Sequence, residues 1–587
     1  MTEAQTKTCQ NCKQSFTIEP EDFGFYERIK VPPPTFCPGC RLQRRMSFRN
    51  ERTLYKRSCD LCGVNIIAMY PEGSTFPVYC NPCWWGDKWD SGVYAKNIDF
   101  SRGFLEQVGE LLKIVPRAAL IGSSNVNCDY VNYSAWLKNS YLLVGCANLE
   151  DSAYCYRSFD SKSVFDCFSA IDSQSCSETN YCIKSYETNS SEDCENSING
   201  MFLSGCRNVS NCLGSVNLRN AKNVIFNKQV DESEFKQVRE RLGLYSENVK
   251  FKEKYSGFKI NYPYKYARNV LNTDSTGDYL NQDKNCKNCF VIRESENLKY
   301  CIFGSVLKDS YDISFCDNSS LVYESSNIEQ NYMKLFSLTS WFSKEITYCD
   351  TCFSSSNLFG CVGMRDKSYS ILNKQYAKEE YEKLVPQIID LMSSRPYLDG
   401  LGAAYRYGEF FPSEMSPFYY NETIAQEYFP LDKAVASRFG FRWKEQGTKN
   451  YKATLDFKDL PDDISETDES ILEKTISCEH AGNCDHQCSS AFRVIPSELQ
   501  FYKKENIPLP RTCPNCRHYS RSPRKNPLQL WLRKCQCKGM ASDNGKYQNI
   551  AEHSHGSAKC LNEFETGYSP DRPEIVYCEA CYNAEVA

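Results

Sequence analysis

The chain has 587 residues, too many for one small core and enough for about three to five domains. With 41% hydrophobic and 24% charged residues it reads as folded and soluble, not disordered. A net charge of −5 excludes a broadly basic surface, so any nucleic-acid affinity must come from local patches.

No apolar run approaches the roughly 18 residues of a membrane span, and "MTEAQTKTCQNC" offers no apolar core for a signal peptide. A cytoplasmic location is therefore expected. The 34 cysteines are then thiols or metal ligands, because disulfides do not persist there.

Four C-x-x-C pairs fill the N-terminus: Cys9/Cys12, Cys37/Cys40, Cys59/Cys62 and Cys80/Cys83. Each is a tight turn presenting two thiolates, and two such turns some 17 to 25 residues apart close a tetrahedral four-sulfur site. The spacing predicts zinc ribbon 1 over residues 1–50 and zinc ribbon 2 over 51–98. "CWWGDKWD" follows, its tryptophans expected to pack the ribbon on its neighbour. An amphipathic linker helix is expected within 99–123, capped by Ser101, with Phe104, Val108, Leu111, Leu112 and Val115 as its stripe.

From about residue 124 the texture changes to units of a dozen residues with Asn, Ser and Asp turn signals. Cys155/Cys167, Cys182/Cys194 and Cys194/Cys206 are each twelve apart. Two units per rung, roughly 20–25 residues, predict a right-handed parallel β-helix-like solenoid with small cysteines and aromatics inside. The stretch is duplicated, since "IFNKQVDESEFKQV" from Ile225 matches "ILNKQYAKEEYEKL" from Ile371. The reading is solenoid copy 1 with a capping helix over 124–245, a connector over 246–280, and copy 2 with its capping helix over 281–392. Cys286/Cys289 and Cys349/Cys352 read as ladder cysteines, with two half-sites for a metal as the alternative. Residues 393–477 read as an aromatic, then acidic, linker region.

The C-terminus repeats the N-terminus. "CKQSFTIEPEDFGFYERIKVPPPTFCPGCR" from Cys12 lies over "CSSAFRVIPSELQFYKKENIPLPRTCPNCR" from Cys488 without a gap. Zinc ribbon 3, over 478–526, is expected to use Cys484, Cys488, Cys513 and Cys516. Zinc ribbon 4, over 527–587, is expected to use Cys535, Cys560, Cys578 and Cys581, its first turn opened by a 22-residue insertion. That insertion carries Cys537, His553 and His555, a potential extra metal site, while Cys478, His480 and His486 are unassigned donors. About four structural Zn²⁺ ions follow, and a fifth if the insertion holds one.

Each paired head also contains a basic-aromatic segment. Arg41–Arg57 has seven basic residues against Glu51 alone, and Arg517–Lys534 has six with no acid. Guanidinium groups beside rings suit RNA or single strands, with Arg41, Arg44, Arg45, Arg49, Arg517, Arg521, Arg524 and Lys525 as the expected phosphate contacts.

"CPGCRLQRRMSFRNERTLYKRSC", "WWGDKWD", "ILNKQ…EEY" and "YGEFFP…SPF…NET…EYFP" together resemble a large family of uncharacterised zinc-ribbon proteins from candidate-phyla bacteria. The individual ribbons resemble the probable zinc-ribbon domain. The resemblance implies paired ribbons flanking a β-solenoid-like region in a cytoplasmic bacterial protein, and no established activity.

The leading expectation is thus a mainly β, non-enzymatic zinc protein binding nucleic acid or a ribonucleoprotein. The alternatives are a protein–protein scaffold on the solenoid, or a zinc-dependent or carbohydrate-active enzyme at the Cys/His insertion or solenoid groove.

Overall fold

A computed structural model describes residues 3–169, 173–445 and 452–586; the remainder of the expected linker, 446–451, lies outside the described residues. The chain is mainly β, with two twelve-stranded solenoid sheets, small antiparallel hairpins and a few short helices. It forms two compact units that interleave along the sequence. One comprises residues 1–120, 267–445 and 528–530; the other comprises 121–266, 446–527 and 531–587. The N-terminal head therefore belongs with solenoid copy 2, and the C-terminal head with copy 1.

A solenoid rung is twelve residues long, half the expected length. Lys138 pairs with Glu150, Gln174 with Tyr186 and Ser320 with Tyr332, all in parallel. The reason is a repeat of three. Every third residue takes positive φ, as at Tyr130, Tyr133, Trp136, Asn139 and Leu142, so each rung turns four corners. The residue after each corner points inward: Leu137, Ser140, Leu143, Cys146, Leu149, Ser152 and Cys155 are all buried. Left-handed corners cost most residues about 1–2 kcal/mol and cost Asn or Asp less, which explains the Asn-rich texture. The corners also stack, with Asn127 donating to Asn139 (2.8 Å) and Asn139 to Asp151 (3.0 Å).

One inward side chain per side leaves a narrow lumen, which selects Ser, Cys, Thr, Val and Leu. Serine does more than fill space. Ser152 Oγ donates to Glu150 O (2.8 Å) and accepts from Val164 N–H one rung on (3.2 Å). Cysteine substitutes for it, with Cys155 Sγ donating to Ala153 O (3.3 Å). Cys286, Cys289, Cys349 and Cys352 are inward residues of this kind, each thiol donating to a carbonyl two residues back. Burial pushes the Cys146 and Cys212 thiols up to about 12.

Copy 2 begins before its expected start. Val270 already bridges to Asn281, and the expected connector holds all but the first residue of the helix Tyr245–Lys259. Each solenoid is followed by its predicted helix, Glu232–Arg241 and Lys378–Ser394. The linker helix is Phe104–Leu112, with Gly103 and not Ser101 at its N-cap. The 393–477 region is more than a linker. Tyr405, Tyr407, Phe410 and Phe411 are buried among residues of the N-terminal head and copy 2, and Leu460, Ile464 and Ile471 pack on the third ribbon.

Candidate metal centres and the clamps they position

Each ribbon is a short hairpin whose turn supplies two sulfurs, facing a helix N-terminus that supplies two more. In the first, Gln5–Thr8 pairs with Ser15–Ile18, and Cys37 stands at the N-cap of Pro38–Met46. Pro38 suits the first helical turn because its missing N–H has no partner to lose there.

The donors converge as predicted at Cys9/Cys12/Cys37/Cys40, at Cys59/Cys62/Cys80/Cys83 and at Cys535/Cys560/Cys578/Cys581. Sulfur separations are 3.7 Å for Cys12–Cys37, 3.8 Å for Cys62–Cys80 and 3.9 Å for Cys560–Cys578. The edge of a tetrahedron with bonds of about 2.3 Å is about 3.8 Å, so these groups fit a four-coordinate ion. All 34 cysteines are free thiols. In each group the leading sulfur accepts a backbone N–H across the site: Cys37 to Cys9 (3.3 Å), Cys80 to Cys59 (3.2 Å) and Cys578 to Cys535 (3.3 Å). The Cys535 thiol beside it draws Cys578 down to about 4, whereas burial and the Cys578 thiolate push Cys581 up. Crowded thiols thus ionise one at a time unless a cation neutralises them.

The third ribbon departs from expectation. Cys478, not Cys484, joins Cys488, Cys513 and Cys516. The physical marker is again the cross-site bond, here Cys513 N–H to Cys478 Sγ (3.2 Å), which makes Cys478 the counterpart of Cys9. Cys484 groups instead with His480, His486 and Cys516. In the fourth ribbon's insertion, Cys537 accepts from Asn549 Nδ2 (3.1 Å), His553 Nε2 meets Glu585 Oε1 (2.9 Å), and His555 Nε2 lies 3.3 Å from Cys581 Sγ.

The leading arginines of each basic segment do not present their guanidiniums to solvent. Pro38–Met46 lies against the wall of copy 2 at Ile302–Glu329, midway along the solenoid. Arg41 pairs with Asp312 (2.7 Å) and Glu324 (3.3 Å), Arg44 with Glu324 (3.0 Å) and Glu409 (3.5 Å), and Arg45 with Asp312 (3.4 Å). None of these side chains is more than 4% exposed. Three guanidiniums thus meet three carboxylates. Arg49 is equally buried, bonded to Glu51 (2.6 Å) and stacked 4.0 Å from the Phe315 ring centre.

The C-terminal head repeats the clamp on copy 1. Arg517 pairs with Asp166 (3.3 Å) and Glu498 (2.8 Å), and Arg521 with Asp166 (3.1 Å). In the alignment that matches Ile225 to Ile371, Asp166 is the counterpart of Asp312, and Glu178 of Glu324. The surroundings correspond too. Phe25 stacks on Tyr311 at 4.0 Å as Phe501 stacks on Phe165 at 4.3 Å; Arg41 lies over Tyr300 as Arg517 lies over Tyr154. From Arg524 onward this segment is more open, and the Lys534 side chain is 71% exposed. Arg524 reaches Glu178 (3.7 Å), and Lys525 lies 4.1 Å from the Phe168 ring centre.

Trp84 is fully buried, donating to Pro116 O (3.1 Å) and meeting Phe353 edge-on, so it packs the second ribbon as expected, whereas Trp85 is 42% exposed. Among the described residues no helix is long and apolar enough to cross a membrane. No protein-family model matches the chain, and no curated protein matches it either.

Proposed function

We propose that the protein is a non-catalytic scaffold, its heads structured by zinc in a reducing compartment, that binds a protein partner along its solenoid walls. The observation that carries this reading is the burial of Arg41, Arg44, Arg45, Arg517 and Arg521 against acidic partners. The basic segments thereby have an intramolecular purpose, and the motive for a nucleic-acid grip largely disappears. Four protein donors per group leave no open coordination position, the arrangement of structural and not catalytic zinc.

What remains exposed is also duplicated. Lys138, Glu150 and Lys162 form an ion-pair ladder on copy 1 (2.9 and 3.4 Å). Their counterparts Lys284, Glu296 and Lys308 form one on copy 2 (3.2 and 3.6 Å). Further along the same column stand exposed Tyr186 and Tyr332, one in each copy. Two equivalent surfaces of charge and aromatic rings suit a protein partner, in which tyrosine supplies much of the binding energy.

The test is affinity capture with the full chain before and after nuclease treatment, alongside Tyr186→Ala/Tyr332→Ala. A partner retained after nuclease and lost on the double substitution supports the scaffold. Salt-steep binding of single-stranded RNA, flattened by Arg524→Ala/Lys525→Ala, would replace it with the nucleic-acid reading.

A further inference from the structure

The third ribbon's opened first turn places three further donors beside its four-sulfur group. Cys478 and Cys488 are separated by nine residues, where Cys9 and Cys12 are separated by two. The added stretch carries His480, Cys484 and His486. Their ligand atoms and Cys516 Sγ all lie within 4.8 Å of one another, and Cys516 also belongs to the four-sulfur group.

Cys516 Sγ has suitable neighbours on both sides. It is 3.9 Å from Cys478 Sγ and 3.8 Å from Cys484 Sγ, each close to a tetrahedral edge for metal–sulfur bonds. The histidines supply a second, independent sign. Nδ1 of His480 and Nδ1 of His486 are both buried without a hydrogen-bond partner. Two orphaned imidazole nitrogens in one small loop are costly unless something binds there. Their rings are 5.4 Å apart, and Tyr519 stacks on His486, with the rings 17° from parallel.

We propose that the third ribbon is a dinuclear centre. One divalent ion is held by Cys478, Cys488, Cys513 and Cys516, and a second by His480, Cys484, His486 and Cys516, whose thiolate bridges the two. The mixed sulfur–imidazole set suits zinc or a metal of similar softness. Five thiolates against two divalent ions leave one negative charge, where a four-thiolate site leaves two. The bridge thus relieves a group whose four sulfurs are all buried. Both coordination spheres are closed, so the second ion is structural and fixes the long loop.

This inference rests on the metal reading of the ribbons, and the experiment separates the two. Metal is quantified per chain on the purified full-length protein and on His480→Ala/His486→Ala. The expected result is the loss of one ion in the variant with the others retained; equal metal content in both overturns the second site while leaving the ribbons intact. Wild-type protein without any metal overturns both readings. Cobalt-substituted wild type guards against misfolding of the variant. Two ions coupled through Cys516 make the EPR spin count fall short of the cobalt count, and equality of the two counts overturns the bridge.

Discussion

Removal of Asp312 is the sharpest test of the clamp. In Asp312→Ala, Arg41 loses its 2.7 Å partner and Arg45 its 3.4 Å partner. Glu324 remains, at 3.3 and 3.8 Å, but it already serves Arg44 at 3.0 Å. Two carboxylates are then left facing three buried guanidiniums, and stranding a buried charge costs about 3–5 kcal/mol. Arg41→Ala should cost less, because Asp312 keeps Arg45 and Glu324 keeps Arg44. The double variant should fall short of the sum by about 1–3 kcal/mol, since the two residues touch. Native-state hydrogen exchange suits a chain of several cooperative units, for which one global unfolding energy is not defined. Amides of Pro38–Met46 and of Ile302–Glu329 should exchange roughly a hundredfold faster or more in Asp312→Ala. Asp166→Ala should act in the same way on Pro514–Arg521. Unchanged exchange in both variants, with Arg41→Ala/Arg45→Ala instead weakening RNA binding, would refute the clamp and restore these residues to a phosphate-binding role.

Other perturbations probe the heads and the lumen separately. Removing metal with a strong chelator should release the Cys-rich turns and abolish exchange protection in Pro38–Met46 and Pro514–Arg521 while much of the solenoid's far-UV signal persists; heads that stay protected would contradict their dependence on metal. Lys334 sits in the inward column of Val322, Ile346 and Leu358, where burial lowers its pKa from 10.5 to about 8. The unfolded state therefore binds more protons between about pH 8 and 10.5, and stability should rise through that window. At pH 7 the buried ammonium costs about 3 kcal/mol, so the rungs around Lys334 should be better protected from hydrogen exchange in Lys334→Met at that pH, and that protection should lose the alkaline rise. Cys155→Ser should be tolerated, and intact protein should leave Cys155 unmodified by iodoacetamide, because the lumen column already alternates these residues and burial holds the thiol protonated.

Much of this was legible in sequence because ribbon chemistry is local. A C-x-x-C turn before a Pro-capped helix names its ligands without knowledge of the rest, and the gapless match of Cys12 to Cys488 extends this to the second head. Cys478 is hidden because its turn is opened by an insertion, whereas in the fourth ribbon Cys560 is recognised across a longer insertion. The solenoid was readable as a repeat of twelve but not as a rung of twelve. Its inward period is three, which matches neither a strand's two nor a helix's 3.6, and its Ser and Cys lining lacks the hydrophobic contrast that usually marks a core. The arginines were misleading for a different reason. Asp312 and Glu324 lie far along the chain, and a basic run shows no sign of acids it will meet only after folding.

The clamp also ties together segments that are far apart in the chain. Residues 1–120 belong with copy 2, and residues 446–527 with copy 1, so neither compact unit is a continuous segment. When copy 1 has been synthesised, Asp166 still awaits Arg517, and the N-terminal arginines still await Asp312. Each solenoid therefore carries corner acids whose burial is favourable only once a distant head arrives. That head bears its arginines on helices whose N-caps are the ribbon cysteines Cys37 and Cys513. On the metal reading proposed above, ion binding, helix placement and charge neutralisation on the solenoid wall form one dependency, made twice. The metal's effect should then reach acids with which it shares no bond: after chelation, exchange at the corners around Asp166 and Asp312 should accelerate, while rungs away from the heads keep their protection.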